Sequence, residues 1–292
     1  MMKRIFILVF LFLFPSTNLF AGYVTFNQVV TVDDTPEDHA NDDGVASGIE
    51  FNKDGTKMFI SYANHHATNP STNDIHIINE YNLTTPYDIS TRVYAGDSER
   101  CTLGSQDSGG NIDYDVSVDN RHQVYDLEIS NDGMKLLVIS RKVNGGTDAD
   151  NDKVYVFNLT SPYDISTCSN TGSKDFGTTN LRDLKFSNDG KKVFLYDQGG
   201  THSLKQYSLS SAFDISNPTL VTTYTGTSSK TLKQLTGNEN KVNGLAFSSD
   251  GSKMFVTNDT KITEFTLSNP FDLSNVTSEG RENISDEIVK IS

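Results

Sequence analysis

The sequence predicts an all-β fold, a β-propeller built from four or five four-stranded blades. The first observation is a tandem repeat, which is clearest from Val242 to Ser274 and has further copies beginning near Ala46, Val124 and Leu181. The second is that each copy places apolar segments on both sides of an Asp-Gly pair. The third is a Tyr/Phe-Asp-Ile/Leu-Ser segment at a fixed position in every copy. Four-stranded units repeated around an axis describe a propeller.

The Asp-Gly pairs predict a tight turn between the first two strands of each repeat. Apolar residues stand three and five positions before each aspartate, at the two-residue period of a strand that is buried on one face. Such a strand ending in Asp-Gly is typical of a β-hairpin. The second strand follows at once, and its nearly continuous apolar run predicts burial on both faces. The aligned aspartates are Asp54, Asp132, Asp189 and Asp250.

The third strand ends near an aromatic residue, and a second aligned aspartate follows that residue after seven positions in all four repeats. This constant spacing predicts a tight, structured connection. The distance from the Asp-Gly aspartate to the same aromatic residue is 27, 25, 18 and 15 residues in the successive repeats. The loop between the second and third strands must therefore vary in length.

A fourth strand is expected after each Asp-Ile/Leu-Ser, as in Thr219 to Gly226. The segment Tyr23 to Val32 resembles such a strand but has no repeat before it. We expect it to complete the last blade and close the ring, because closure removes exposed sheet edges. In the insertion at residues 96–123, apolar residues alternate with polar ones over residues 112–119. This stretch is either the fourth strand of blade one or the remnant of a fifth blade.

Residues 1–21 predict a cleaved secretion signal, because Lys3 and Arg4 precede the apolar run IFILVFLFLF and a small residue, Ala21, ends the segment. A retained N-terminal anchor is the alternative. No later stretch approaches the ~20 apolar residues that a membrane span requires. Residues 22–292 are therefore expected to form a single secreted or periplasmic propeller domain, with repeats near 46–95, 124–170, 181–226 and 242–274.

The charge and the cysteines limit the partners and the compartment. The formal net charge is −14, and an acidic surface repels the phosphates of nucleic acid. A protein, a cation or a small molecule remains open as a partner. Cys101 and Cys168 suit one disulfide in an oxidising compartment, with two isolated thiols as the alternative.

The segments FSSDGSKMFVTN and FSNDGKKVFLYD resemble the repeats of exported bacterial β-propellers, the YVTN/lactonase-like and TolB-like WD40-type group. The resemblance covers roughly residues 46–274. It implies the fold but does not select an activity, since the group includes lactonases, cofactor-bearing dehydrogenase subunits and binding modules. It also implies that the loops between strands two and three open on the same face as the loops that enter the next blade.

Length variation is concentrated on that face, where binding on a rigid scaffold is expected. Neutral drift of loop length is the alternative. Five histidines lie in these loops and are candidates for ligand binding, although loop histidines are commonly solvated and their spacing is not that of a typical metal site. They are His39, His65, His66, His122 and His202.

Two aspartates at the start of the innermost strands are further candidates. Six positions before the Asp-Gly aspartate, the four repeats carry Gly48, Asp126, Asp183 and Gly244. Because innermost strands line the central channel of a propeller, Asp126 and Asp183 are predicted near its mouth. The alternative is that both accept hydrogen bonds from backbone amides or from neighbouring arginines.

One acidic run suits calcium. Asp148, Asp150 and Asp152 alternate with other residues, and carboxylates at alternate positions can converge on Ca²⁺ outside the cell. The glycine that would follow in a helix–loop–helix calcium site is replaced by Lys153, so a solvated acidic loop is the alternative. No other cofactor is predicted.

These observations favour an exported binding or interaction module that uses its long-loop face and channel mouth. The enzyme alternative is a lactonase-like, metal-assisted hydrolase with its ion at the channel mouth. A structural surface protein, which would self-associate at high concentration, is a third interpretation.

Overall fold

The computed structural model describes residues 45–63, 77–103, 105–106, 112–113, 122–142, 152–178, 180–237, 242–258 and 261–283. In these ranges the helical structure is limited to the four-residue helix α1 (Leu232–Leu235) and three 3-10 turns. The strands of the four repeats form four antiparallel sheets, one for each repeat, and the described part of the insertion adds a two-stranded sheet. The predicted fold class is therefore confirmed, with four four-stranded blades of the β-propeller type.

Blade one contains β1 (Val45–Phe51), β2 (Lys57–Ala63) and β3 (Ile77–Leu83) side by side in chain order. Its outer position is divided between β4 (Arg92–Tyr94) and β5 (Cys101–Thr102). Both short strands pair with β3, the first with its end and the second with its beginning. The fourth strand is therefore interrupted where the chain leaves the sheet edge.

The described part of the insertion at residues 96–123 holds no fifth blade. A 3-10 turn at Asp97–Glu99 leads into β5. Two further strands of two residues each, β6 (Ser105–Gln106) and β7 (Ile112–Asp113), then pair antiparallel with each other. Of the strand predicted over residues 112–119, the described ranges contain only Ile112–Asp113, which form β7. Residues 114–121 lie outside these ranges. Residues 92–102 supply the fourth strand of blade one instead.

The other blades have uninterrupted outer strands. Blade two contains β8 (His122–Ile129), β9 (Lys135–Lys142), β10 (Lys153–Asn158) and β11 (Ser169–Asp175). Blade three contains β12 (Leu181–Phe186), β13 (Lys192–Asp197), β14 (Ser203–Ser208) and β15 (Thr219–Tyr224). Blade four contains β16 (Val242–Phe247), β17 (Lys253–Asn258), β18 (Lys261–Leu267) and β19 (Val276–Asn283).

The outer position of blade four differs from the sequence-based expectation. It is filled by β19, which pairs with β18 directly after the last Asp-Leu-Ser segment. The last repeat therefore continues into its own fourth strand, as the other repeats do. The segment Tyr23 to Val32, which was expected in this position, lies outside the described residues.

The chain divides into two compact units. The N-terminal unit comprises residues 32–184 with 213–216, and the C-terminal unit includes residues 185–212 and 217–292. In the N-terminal unit, blades one and two share one apolar core, which includes Phe59, Leu103, Leu127, Val138 and Phe157. In the C-terminal unit, α1 packs into the core of blades three and four, which includes Phe194, Leu235, Leu245, Met254 and Phe265.

An aromatic ring covers the Asp-Gly turn in three of the blades. In blade one, the Tyr87 amide donates to the Gly55 carbonyl at 2.9 Å. A Cβ atom on Gly55 would lie only 2.4 Å from the Tyr87 ring, and both residues have positive φ, 73° for Gly55 and 59° for Tyr87. Glycine is therefore required both by its own backbone conformation and by the ring above it. Blades two and four repeat the arrangement at the pairs Gly133/Tyr163 and Gly251/Phe271.

The aspartates beside these glycines stabilise the turns, as their repetition predicts. Asp54 Oδ1 accepts a hydrogen bond from the Thr56 amide at 3.0 Å. Asp250 Oδ1 accepts from Ser248 Oγ at 2.6 Å and from the Ser252 amide at 3.0 Å. The hydrogen bonds from Ser248 and then Ser252 lower the pKa of Asp250 to about 2, because they favour the charged carboxylate.

A lysine three positions after the Asp-Gly aspartate links neighbouring blades within each unit. Lys57 Nζ donates to the Tyr163 carbonyl at 3.2 Å and lies 2.6 Å from Glu80 Oε1. Burial raises the pKa of the Glu80 carboxyl, and the hydrogen bond from Lys57 opposes that rise. In the C-terminal unit, Lys192 Nζ donates to the Phe271 carbonyl at 2.8 Å. Each lysine thus fixes the turn of the following blade.

We predict that Gly251→Ala destabilises the protein by about 3 kcal/mol. About 1 kcal/mol arises from the left-handed backbone and about 2 kcal/mol from displacing the Phe271 ring. Gly200→Ala is the matched control, because Gly200 has φ of 58° but a Cβ atom there would meet no described atom within 4 Å. Urea unfolding of both variants measures the difference, and equal losses would show that the ring contact does not matter.

We predict that Asp250→Asn loses stability at pH 7 but loses little at pH 2. The unfolded carboxyl titrates near pH 4, whereas the folded one titrates at about 2. Its stabilising effect is therefore present above pH 4 and disappears as the pH falls from about 4 to 2. Urea midpoints of the variant and the wild type across this range test the prediction, and a deficit that does not change with pH would contradict it.

Candidate functional site

The two ends of each blade differ in structure. One end carries the Asp-Gly turns, and at the other the first strand begins where the second strand ends, since Val45 pairs with Ala63 and Val242 pairs with Asn258. The loops between strands two and three and the loops into the next blade leave from this second end, which we call the loop end. The variable parts of these loops lie outside the described residues at 64–76, 114–121 and 143–151.

A β-bulge interrupts the innermost strand near the loop end in blades one, two and four. The extra residue is Ser47 in β1, Tyr125 in β8 and Asn243 in β16. In blade one, the Gly48 amide donates to Ser61 Oγ at 2.9 Å, and Ser47 Oγ lies 3.0 Å from the same oxygen. Because a bulge changes the direction of nearby side chains, it marks this part of the strand as specialised.

Strands β1 and β8 approach each other closely just after their bulges. A Cβ atom on Gly48 would lie 2.7 Å from Asp126 Oδ1 and 2.8 Å from Asp126 Cα. The glycine in blade one therefore makes room for the aspartate at the same repeat position in blade two. This contact explains why Gly48 and Asp126, which share a repeat position, differ so much in size.

Strand β8 meets the start of β12 through a cation–π contact. The guanidinium carbon of Arg182 lies 4.7 Å from the centre of the Tyr125 ring. Such contacts contribute about 0.5–2 kcal/mol, depending on exposure. Tyr125 and Arg182 directly precede Asp126 and Asp183, so the contact joins the two residues that stand before these aspartates.

We define the inner-strand cluster as these six residues of the N-terminal unit: Ser47, Gly48, Tyr125, Asp126, Arg182 and Asp183. Its carboxylates are nearly buried, with 9% of Asp126 and 3% of Asp183 exposed. Burying a carboxylate costs several kcal/mol unless it is paired or hydrogen-bonded. The cluster offers carboxylate oxygens as acceptors and a guanidinium as donor, which suits hydroxyl or ammonium groups or a hard cation.

His202 has a different environment from the one expected. It follows the turn between β13 and β14 with φ of 65°, but only 2% of it is exposed. Its Nδ1 atom lies 2.9 Å from the Tyr196 hydroxyl, which is itself buried. The structure therefore places His202 inside the C-terminal unit rather than on an open loop.

The remaining predicted residues are only partly described. His122 belongs to β8 and pairs with Lys142, although its side chain is not among those described. Asp152 is 1% exposed and accepts a hydrogen bond from the Leu181 amide at 2.6 Å, so it fixes the start of β12. His39, His65, His66, Asp148 and Asp150 lie outside the described residues. Among the side chains that are described, no group of three or more His, Cys, Asp or Glu residues could hold a metal ion.

Cys101 and Cys168 form a disulfide within the N-terminal unit. Cys101 belongs to the interrupted outer strand of blade one and is fully buried, and Cys168 follows a 3-10 turn at Ile165–Thr167 in blade two. The bridge therefore connects the outer parts of two adjacent blades. It also attaches the short strand β5, which has only two residues, to the body of the unit.

Sequence reasoning identified the two aspartates but not Tyr125 as their neighbour. The available signal was positional, because Ser47, Tyr125, Arg182 and Asn243 all stand one residue before the Gly/Asp position. In blades one, two and four this residue is the extra residue of the bulge. What the sequence could not show is that Tyr125 and Arg182, which are 57 positions apart, meet in space.

We predict that reduction of the disulfide lowers the unfolding free energy by about 2–4 kcal/mol, because the bond closes a loop between residues 67 positions apart. Thermal unfolding with and without a phosphine reductant measures this as a fall of about 5–10 °C. The Cys101→Ala, Cys168→Ala double variant should match the reduced protein and should not respond to reductant. A further fall in that variant would show that the reductant acts elsewhere.

Comparisons with known proteins give a likeness of fold. No protein-family model matches the chain, and no curated protein is similar to it in sequence. A protein of unknown function from Desulfotomaculum acetoxidans is 14% identical with a TM-score of 0.45, and the match covers 81% of this chain but only 56% of that one. The periplasmic gluconolactonase of Pseudomonas aeruginosa is 14% identical with a TM-score of 0.42, and the match covers 82% of this chain and 72% of that one.

A third solved structure is the β-propeller domain of Cps50 (Swd1) from Myceliophteria thermophila, which is 9% identical with a TM-score of 0.41. That match covers 82% of this chain and 74% of the other. Among the helices that the structure describes, none is long and apolar enough to cross a membrane.

Proposed function

We propose that the protein is an exported β-propeller binding module whose ligand contacts the loop end of the blades, with the inner-strand cluster as part of the site. The observation that carries the proposal is the placement of two nearly buried aspartates, Asp126 and Asp183, at the loop end of neighbouring innermost strands. Each ionised carboxylate offers several acceptor lone pairs. Asp126 and Asp183 can therefore accept from a ligand in addition to the contacts that they make within the protein.

The difference between the two ends supports the same conclusion. The turn ends of blades one, two and four share an equivalent contact, such as Gly55 with Tyr87 and Gly251 with Phe271. The loop end carries the segments whose length differs between repeats. A constant scaffold with variable loops at one end is the usual arrangement of a binding protein.

The chemistry of the cluster indicates the kind of ligand. Carboxylates accept hydrogen bonds from hydroxyl and ammonium groups, and Arg182 donates from a guanidinium that the Tyr125 ring holds in place. A cation or a small polar molecule with several donor groups fits these residues. The net charge of −14 makes an anionic polymer a poor candidate.

The alternative is a lactonase-like hydrolase with a metal ion near the same aspartates. Carboxylate oxygens are the ligands that hard divalent cations prefer, and Asp126 and Asp183 would supply one or more each. A bound ion would polarise the carbonyl of a lactone and activate water. Export of the chain, which its first 21 residues predict, would give either function access to ligands outside the cytoplasm.

We predict that Asp126→Asn and Asp183→Asn remove a ligand-induced rise in melting temperature that the wild type shows. The probes are CaCl₂, glucono-1,5-lactone and a panel of neutral monosaccharides, each added to purified protein. Asp214→Asn is the control, because Asp214 lies in the connection between β14 and β15, at the turn end of blade three, where it accepts from the Ser216 amide at 3.0 Å. If all three variants keep the full rise, the cluster is not part of the site.

Elemental analysis before and after chelation separates the two functions. The hydrolase is favoured over the binding module if the protein retains a stoichiometric metal that depends on Asp126 and Asp183. The protein must then also hydrolyse glucono-1,5-lactone, and this activity must be lost when the metal is removed. Binding of a probe without turnover or retained metal supports the binding module.

A further inference from the structure

Asp152 joins the chain that enters β10 to the chain that enters β12. Its amide donates to the Thr178 carbonyl at 2.9 Å, and its Oδ2 atom accepts from the Leu181 amide at 2.6 Å. Residues 178–181 therefore pass beside the Asp152 carboxylate, of which only 1% is exposed. Both strands begin at the loop end, and the whole junction lies within the N-terminal unit.

Two buried side-chain oxygen atoms at this junction lack a hydrogen-bond partner among the residues that the structure describes. They are Thr178 Oγ1 and Asn180 Oδ1. Thr178 is 1% exposed, so bulk water does not reach its hydroxyl. A polar group that is buried without a partner costs about 1–3 kcal/mol. Two such atoms beside a buried carboxylate are expected where a ligand supplies the missing partner.

The chemistry of these groups favours a hard cation. A carboxylate, a side-chain amide and a hydroxyl all present oxygen, and the Thr178 carbonyl has a second lone pair beyond the one that accepts from Asp152. Lys153 follows Asp152 directly, but Asp175 stands opposite it on β11, so these two formal charges cancel. The carboxylate of Asp152 then gives the junction a negative charge.

We infer that Asp152, Thr178 and Asn180 form a calcium site, whose coordination is completed by water. Ca²⁺ takes about six to eight oxygen ligands in flexible geometry, whereas Mg²⁺ demands a regular octahedron. Ligands from an irregular connection suit the first ion better. Because the site has a single carboxylate, we expect a Kd of about 0.1–1 mM, as in extracellular calcium modules.

This site differs from the one that the sequence predicts. Of the three aspartates in the acidic run, it uses only Asp152, and its other oxygens come from the connection between blades two and three. Leu181, whose amide Asp152 holds, directly precedes Arg182 and Asp183. Calcium at the junction would therefore stabilise the start of β12, which carries these two residues of the inner-strand cluster.

Calorimetric titration of CaCl₂ into the purified, chelator-treated protein tests the inference. We expect one ion per chain and at least about tenfold weaker binding of MgCl₂. Asp152→Asn removes the charge but keeps an acceptor for the Leu181 amide, and it should weaken calcium binding at least about tenfold. Thr178→Val replaces the hydroxyl by a methyl group of similar shape and should weaken binding likewise. Without calcium, Thr178→Val should melt at the same temperature as the wild type or higher, because it removes a buried unsatisfied group.

Thr263→Val is the matched control. Thr263 is also 1% exposed, and its buried Oγ1 atom also lacks a hydrogen-bond partner within the described part of the chain. Its replacement should match Thr178→Val in calcium-free melting but leave calcium binding unchanged. Asp126→Asn should also bind calcium as the wild type does, which separates this site from the inner-strand cluster.

The inference is overturned if the wild type binds no calcium in the millimolar range, in which case a buried water is the partner of the two oxygens. It is also overturned if Asp152→Asn and Thr178→Val both bind calcium with wild-type affinity. Loss of calcium binding in Asp126→Asn, with Asp152→Asn unaffected, would instead place the ion at the inner-strand cluster.

Discussion

The contact between a glycine of positive φ and an aromatic ring above it is the constraint on which blades one, two and four depend. Tyr87 lies on Gly55 and Phe271 lies on Gly251, so the end of the third strand is held against the turn between the first two. This explains the constant spacing of seven residues between the third-strand aromatic residue and the following aspartate. Insertion of one residue there would move the ring away from its glycine.

The same contact also determines how neighbouring blades meet inside each unit. The carbonyl groups that accept from Lys57 and Lys192 belong to Tyr163 and Phe271, which are the aromatic residues of the following blade. Gln206 adds a second link of this kind, because its Oε1 accepts from the Leu273 amide at 2.8 Å. At the equivalent position blade one has Glu80, which needs Lys57 to compensate for its burial. Local turn structure and blade packing therefore share one set of residues.

Much of the fold could be predicted from the sequence because its signals are local and repeated. Asp-Gly turns, alternating apolar residues and the Tyr/Phe-Asp segments identify three strands of each blade. The fourth strands were harder to place, since β11 (SNTGSKD) and β4 (RVY) have little apolar pattern. The expected use of Tyr23 to Val32 in the last blade overlooked β19, whose sequence VTSEGREN is polar and contains a glycine. Edge strands are exposed, so they need few apolar residues and their sequences lack a clear hydrophobic pattern.

Only the features of the candidate site that follow from aligning the repeats could be predicted. Asp126 and Asp183 could be found by aligning the repeats, but the close approach of Gly48 to Asp126 and the contact of Arg182 with Tyr125 join residues far apart in sequence. His202 was misplaced for a related reason. A polar loop residue looks solvated in a sequence, and only the structure shows the Tyr196 hydroxyl beside it.

The lysine links have a consequence for how such a chain can grow. In each compact unit, the first blade supplies a lysine after its turn and the second blade supplies the aromatic carbonyl that accepts from it. A pair of blades copied together by gene duplication would therefore carry its own joint. Two copies of such a pair would account for the same link in both units.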